Sequence, residues 1–211
     1  MKNSWQILTL LLAVALVVLT FKSTQKETNA KNEIIEREMT KAEVGLDLIF
    51  SRSSVRSYTD RKVSVNTMEL LLQAGMAAPT AGNRQPWRFV VVSTREILDS
   101  IPAIIPGAHM AAKSQHAIVV CGLPSKALVP EYWVQDCSAA TENILLAAHA
   151  MGLGAVWCGA YPNNAEDKVG RLQKLLSLPE DVYPLSVVVF GYPDSEPNVK
   201  DKWDPEKVFY R

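Results

Sequence analysis

The sequence predicts a single α/β or α+β domain behind an apolar N-terminal segment. Three observations carry that reading. Helical and strand-like patterns alternate along the chain without an internal repeat, which excludes an all-β sandwich and a helical bundle. The 211 residues are enough for one substantial core and short for two. Apolar residues make up 48% of the chain and charged residues 21%, the balance of an ordinary globular protein. Lys+Arg and Asp+Glu both number 22, so the chain has no overall charge bias, which disfavours a nucleic-acid partner.

The elements follow in order. Lys2 precedes an uncharged run from Trp5 to Phe21, "WQILTLLLAVALVVLTF". A basic start before an apolar segment is the layout of an export signal, and the run is also near the lower length of a membrane-spanning helix. Residues 1–30 are therefore expected to be a signal peptide or membrane anchor, with a membrane contact through residues 5–21 and an exported or tethered location. Without them the chain keeps 19 basic and 21 acidic side chains, a mildly acidic domain. Residues 31–43 read as linker and helix start, and 44–211 as the folded domain. "SVNTMELLLQAGMAA" carries apolar residues at helical spacing, with Asn66 or Thr67 as N-cap. "RFVVVS", "AIVVCGL", "GAVWCGAY" and "PLSVVVFGYP" read as strands. "WVQDCSAATENILLAAHAMGL" is the longest helical pattern, ending at Gly152, and "DKVGRLQKLLSL" is a shorter amphipathic helix stopped by Pro179.

Four stretches offer chemistry. "SRSSVRSY" sets Arg52, Ser53, Ser54 and Arg56 within five positions, two guanidiniums and two hydroxyls suited to a phosphate. In an extended segment Arg52, Ser54 and Arg56 point to one side. "APTAGNRQPWRF" ends a helix before Pro79 and allows positive φ at Gly82 and Asn83, so its backbone can line the edge of a flat heteroaromatic ligand. "GLGAVWCGAY" has the glycines of a dinucleotide fingerprint in the wrong order, since they follow a helix and enter a strand. "NVKDKWDPEKVFY" adds Lys200 and Lys202. Cys121, Cys137 and Cys158 are widely spaced in apolar surroundings and read as small buried thiols. No paired-cysteine motif supports a metal site or a thiol-redox function. His109, His116 and His149 share no motif and read as structural or surface residues.

Together these stretches resemble the FMN-dependent nitroreductase family across roughly Val44 to Tyr210. "RSSVRSY" is similar to the family's opening R-x-S-x-R-x-[FY], and "APTAGNRQPWRF" to A-P-S-A-x-N-x-Q-P-W-x-F, with Thr80 replacing serine. "DCSAATENILLAAHAMGLGAVWCGA" resembles the central helix and the glycine-led strand. The resemblance implies an α+β, three-layer fold with a mixed, mostly antiparallel central sheet flanked by helices, in an intertwined homodimer with FMN at the interface. It implies that Arg52, Ser53, Ser54 and Arg56 hold the phosphate end, and that Lys200 and Lys202 close on it. It further implies that Pro79, Thr80 and Asn83 contact the flavin from the partner chain, and that backbone at Cys158 and Gly159 approaches the reactive ring nitrogen.

The expected activity is hydride transfer from NAD(P)H through the flavin to a small acceptor such as a nitroaromatic or quinone, in a ping-pong cycle without a catalytic triad or metal. The segment "IPAIIPGAHMAAKSQ", Ile101 to Gln115, is expected to cover the site and set the substrate. The alternative is a non-catalytic, exported or tethered flavin-binding domain.

Overall fold

The computed structural model describes residues 16, 18–26, 40–162 and 166–211. Its contacts divide the chain into two units, Met1–Gly45 and Leu46–Arg211. In the first, residues 18–26 are helical and exposed. Most of the apolar run read as a signal or anchor, and linker residues 31–39, lie outside the described residues. Among the described residues no helix is long and apolar enough to cross a membrane. Thr40 and Glu43 form a reciprocal cap, Thr40 N–H donating to Glu43 Oε2 at 2.9 Å and Glu43 N–H to Thr40 Oγ1 at 3.3 Å. That pairing opens helix α1, Lys41–Ser51.

The second unit is built on a four-stranded antiparallel sheet of order β1-β2-β4-β3. The strands are β1 (Trp87–Val92), β2 (His116–Gly122), β3 (Gly154–Gly159) and β4 (Tyr183–Gly191). Their valine-rich, β-branched sequences suit a pleated surface that is covered on both faces. Every strand pairing is antiparallel; the parallel component of the mixed sheet expected from the sequence is the isolated bridge from Ser54 to Ala155.

Side chains alternate between two apolar layers. Val119, Cys121, Val187, Val189 and Cys158 face one layer with helix α3 (Arg95–Ile104), the 3-10 segment Pro106–Lys113 and helix α5 (Lys168–Leu175, which falls between β3 and β4). Ile118, Val120, Val188 and Phe190 face the other, with helices α2 (Val65–Met76) and α4 (Trp133–Ala150). The three layers are helix, sheet and helix, as expected.

Local chemistry fixes the helix ends. The N-cap of α2 is Ser64, whose hydroxyl accepts from Thr67 N–H at 3.1 Å, rather than the expected Asn66 or Thr67. Both of those lie inside the first turn, and Ser64 is the residue whose extended backbone (φ −69°, ψ 155°) suits a cap. Helix α4 closes at Met151 and Gly152, whose N–H donates to His149 O at 3.0 Å.

Two irregularities fix the two ends of β3. The pairing of β2 with β4 shifts between Val120 and Cys121, whose partners are Ser186 and Pro184. Leu185 is thereby left out of the β2 ladder, and its carbonyl accepts from both Ala160 N–H (2.9 Å) and Tyr161 N–H (3.1 Å), turning the chain away after β3. At the other end of β3, a Cβ on Gly154 would lie 2.5 Å from Val55 Cγ1. The glycine allows segment 53–56 to lie against β3, where Val55 N–H donates to Ala155 O at 3.1 Å. Gly154→Ala is therefore expected to cost about 1–3 kcal/mol through overpacking, read as a lower midpoint in urea unfolding at constant slope.

Candidate functional site

Arg52 follows α1 directly, and its Nε lies 3.3 Å from Glu142 Oε1 on α4. Next to it Ser51 Oγ meets His149 Nε2 at 2.7 Å, also on α4. These two contacts hold the start of the "SRSSVRSY" segment on one helix. Arg52, Lys200 and Lys202 then line a single cavity of about 860 Å³. Ile49, Phe50, Val199 and Trp203 supply its apolar wall, and Glu142 and Asp201 its acids. Three cations against two carboxylates leave a positive pocket floored by apolar groups, within the size range of small-molecule sites, roughly 300–1,000 Å³.

The structure does not bring the rest of that motif to this cavity. Ser54 and Arg56 are exposed and Ser53 half-buried, and none of the three lines it. The expectation that Arg52, Ser54 and Arg56 share a side fails because the segment is no regular strand. It bridges β3 at Ser54 alone and is pinned by Tyr58, whose hydroxyl donates to Val55 O (2.6 Å) and Val189 O (3.0 Å). Arg56 instead lies close enough to the Cys158 thiol to oppose the effect of burial on it. A second group therefore forms at the end of β3: Arg56, buried Cys158 and exposed Gly159. The segment from Ile101 to Gln115, expected to cover the site, is packed into the core through Ile101, Ile104, Ala108, Met110 and Ala111. It meets the site at Gly107, whose carbonyl accepts from Cys158 Sγ at 3.6 Å.

The third group is the loop after α2. Pro79 and Asn83 are exposed and Thr80 half-buried. Gly82 has φ +56° and Asn83 φ +53° as expected, and Gln85 adds an unanticipated φ of +50°. Side chains without a glycine's freedom cost about 1–2 kcal/mol in that region, so the loop must be held. Thr80 Oγ1 accepts from Gln85 N–H (3.1 Å), Asn83 Oδ1 from Gln85 Nε2 (3.0 Å), and Asp136 Oδ1 on α4 from Ala81 N–H (3.0 Å). A smaller cleft of about 390 Å³ runs beside it, lined by Leu72, Met76, Gln85, Trp87, Arg88 and Phe89.

Sequence reasoning missed Asp136, Glu142 and the apolar wall. The signal for Asp136 was an acid in the first turn of α4, a place where the helix dipole favours a carboxylate. Glu142 and Trp203 carried no local signal. The histidines behave as expected: His109 is exposed, His149 half-buried, and His116 buried with Nδ1 2.9 Å from Ser93 Oγ. Burial lowers the His116 pKa, with Lys62 adding to the effect. All three cysteines are free and buried. Burial pushes the Cys121 and Cys137 thiols up to about 12, and that of Cys158 up to about 11. Among the described residues no cluster of His, Cys, Asp and Glu could hold a metal ion.

A family model described as "Nitroreductase family" matches residues 49–117 and 130–192, spanning α1 to β2 and α4 to β4. The chain belongs to the nitroreductase family. A Methanothermobacter thermautotrophicus relative, provisionally named an NADH dehydrogenase/NAD(P)H nitroreductase, is 44% identical over 82% of this chain and 90% of its own. A crystal structure from Bacteroides thetaiotaomicron with the same provisional name is 47% identical, with a TM-score of 0.75 over 79% of this chain and 96% of its own. A provisionally named nitroreductase from Desulfovibrio desulfuricans, solved in complex with FMN, is 29% identical, with a TM-score of 0.69 over 79% and 95%. The match thus spans nearly all of these two solved chains.

The buried thiols make a prediction. With folded pKa values raised to about 11 and 12, they carry almost no thiolate at pH 8, so a disulfide reagent should label them only after unfolding. Because the unfolded chain releases these protons first, their contribution to stability is intact below the ordinary thiol pKa, about 8.5, and is lost as pH rises toward 11. Urea midpoints measured from pH 7 to 10 should fall at the alkaline end.

Proposed function

We propose that this chain is an FMN-dependent oxidoreductase that takes hydride from NAD(P)H and reduces a small acceptor such as a nitroaromatic or quinone. The observation that carries it is the convergence of Arg52, Lys200 and Lys202, from opposite ends of the domain, on one apolar-walled cavity. That donor set fits a phosphate ester of charge near −2, which guanidinium and ammonium groups bind by charge-assisted hydrogen bonds. The family relatives support the cofactor: one was solved with FMN, and others are named as NAD(P)H nitroreductases and FMN reductases.

In this reading Arg52, Lys200 and Lys202 hold the phosphate, with Ser53 and Ser54 beside them along the chain toward β3. Arg56, next to Cys158, sets a positive charge near the far end of the ligand, where it offsets negative charge on the ring. Exposed Gly159 offers backbone without a side chain, since a Cβ there would meet only Tyr161 O at 3.9 Å. When bound, FMN supplies the redox chemistry, accepting hydride from the nicotinamide and passing it on, and the chain supplies binding and orientation. No side chain of the site needs to act as acid, base or nucleophile. Nicotinamide and acceptor would occupy the same space beside the ring end of the ligand in turn.

We further propose a homodimer in which Pro79, Thr80 and Asn83 reach the flavin held by the other subunit. Helix α1 buries none of its residues, and Leu46, Ile49 and Phe50 are 51%, 55% and 69% exposed. Leu70 and Met76 on α2, and Phe209 and Tyr210 in the tail, are likewise exposed. Leu46, Ile49 and Phe50 fall at i, i+3 and i+4 and so share one exposed apolar face of α1, a feature that marks an association surface. The sequence of residues 1–30 supports delivery of the domain to the cell envelope, as an export signal or an anchor.

Arg52→Ala is expected to weaken FMN binding at least ~10-fold, the equivalent of about 1.4 kcal/mol or one charge-assisted hydrogen bond. Arg56→Ala should lower the rate of anaerobic flavin bleaching by NADPH more than it lowers FMN affinity. Both are read by flavin fluorescence titration and stopped-flow absorbance. Wild-type protein that binds FMN but is bleached by neither nicotinamide would favour the non-catalytic flavin-binding reading. Phe50→Glu should shift the protein from dimer to monomer in sedimentation equilibrium.

A further inference from the structure

Asp136 is 5% exposed, and its carboxylate is held by one bond, from Ala81 N–H to Oδ1 at 3.0 Å. Oδ2 has no hydrogen-bond partner among the described residues. A buried carboxylate with one oxygen unsatisfied is a poor device for stability, because the desolvation of the charge is not offset by a full set of bonds. An apolar residue would fill the same place on the buried face of α4, beside Trp133, Cys137 and Ala140, at lower cost. What the carboxylate does achieve is placement. Ala81 opens the loop in which Gly82, Asn83 and Gln85 all have positive φ. The other bonds that shape this loop, from Asn83 N–H to Thr80 O, Arg84 N–H to Ala81 O and Gln85 to Thr80 and Asn83, are internal to it. The bond to Asp136 bridges 55 residues of sequence and is the tether that fixes the loop to the rigid body of α4.

The same helix carries Glu142, which meets Arg52, about two turns further on, or ~9 Å along the axis. One rigid element therefore touches both the cation cavity and the loop. We propose that Asp136 is a positioning residue for the flavin-facing loop: it holds Pro79–Gln85 in its binding conformation through Ala81 N–H. The inference rests on the FMN-binding reading above.

Two variants remove the bond from opposite sides. Asp136→Ala deletes the acceptor. Ala81→Pro deletes the donor without touching the core, and proline suits the site because Thr80 is already extended (φ −135°, ψ 153°) and Ala81 is the first residue of the 3-10 turn. Asp136→Asn keeps an acceptor oxygen in place. FMN titration of the full chain by fluorescence quenching, with circular dichroism to check folding, should show roughly tenfold weaker binding for Asp136→Ala and Ala81→Pro, the effect of one such hydrogen bond. Asp136→Asn should bind within about twofold of wild type, a rescue that general destabilisation by loss of the charge does not give. If Asp136→Ala fails to fold, Ala81→Pro alone decides the donor side. Wild-type affinity in Ala81→Pro, or binding by Asp136→Asn as weak as by Asp136→Ala, overturns the inference and leaves the FMN reading intact. Wild-type protein that does not bind FMN overturns both.

Discussion

The close approach of segment 53–56 to β3 is the constraint on which the site depends. It exists because residue 154 has no side chain: Val55 occupies the space that a Cβ would need. The backbone bond from Val55 N–H to Ala155 O then sets the direction of the chain on either side. Upstream, Arg52 is turned toward α4 and the C-terminal lysines. Downstream, Arg56 is carried toward the far end of β3 and Cys158. A motif that looks like one cluster in the sequence is thus divided, with one guanidinium at the cation cavity and the other near Cys158 on β3.

The rest of the architecture supports that arrangement by restricting movement. The bulge at Leu185 gathers two amide donors on one carbonyl and fixes where the chain departs after Gly159. The long helix α4 reaches the opening motif through Glu142 and His149, the loop after α2 through Asp136, and β4 through the Thr141–Ser186 hydroxyl pair at 3.1 Å. A single 18-residue helix therefore references most of the polar parts of the site to one another. Between helices and sheet, the packing is apolar and alternates with the strand period, so each face of the sheet acquires its own core.

Much of this was legible in the chain. Short β-branched and apolar runs marked all four strands, because the sheet is buried on both faces, and helical periodicity marked the helices α2, α4 and α5. The positive φ at Gly82 and Asn83 followed from residue type. What was not legible depended on distances between segments remote in sequence. Equal spacing suggested that Arg52, Ser54 and Arg56 share a side, an inference that holds only in a regular strand, and the isolated bridge at Ser54 breaks it. Gln85 gave no sign of its left-handed backbone, since glutamine has no preference for it. Glu142 and Trp203 belong to the cavity only because the fold brings them there. Asp136 could have been noticed as the acid in the first turn of α4, although its partner is an amide that no sequence pattern reveals.

The three thiols have a consequence for where such a domain can work. Each is enclosed in the core and kept protonated by burial, which at Cys158 outweighs the opposing effect of nearby Arg56. The folded polypeptide presents almost no thiolate to an oxidant near neutral pH, so its cysteines react little in the folded state. All electron traffic is left to a group that the chain holds by charge and shape. A scaffold of this kind keeps the same covalent structure in a reducing or an oxidising compartment, and can be moved from one to the other without rewiring.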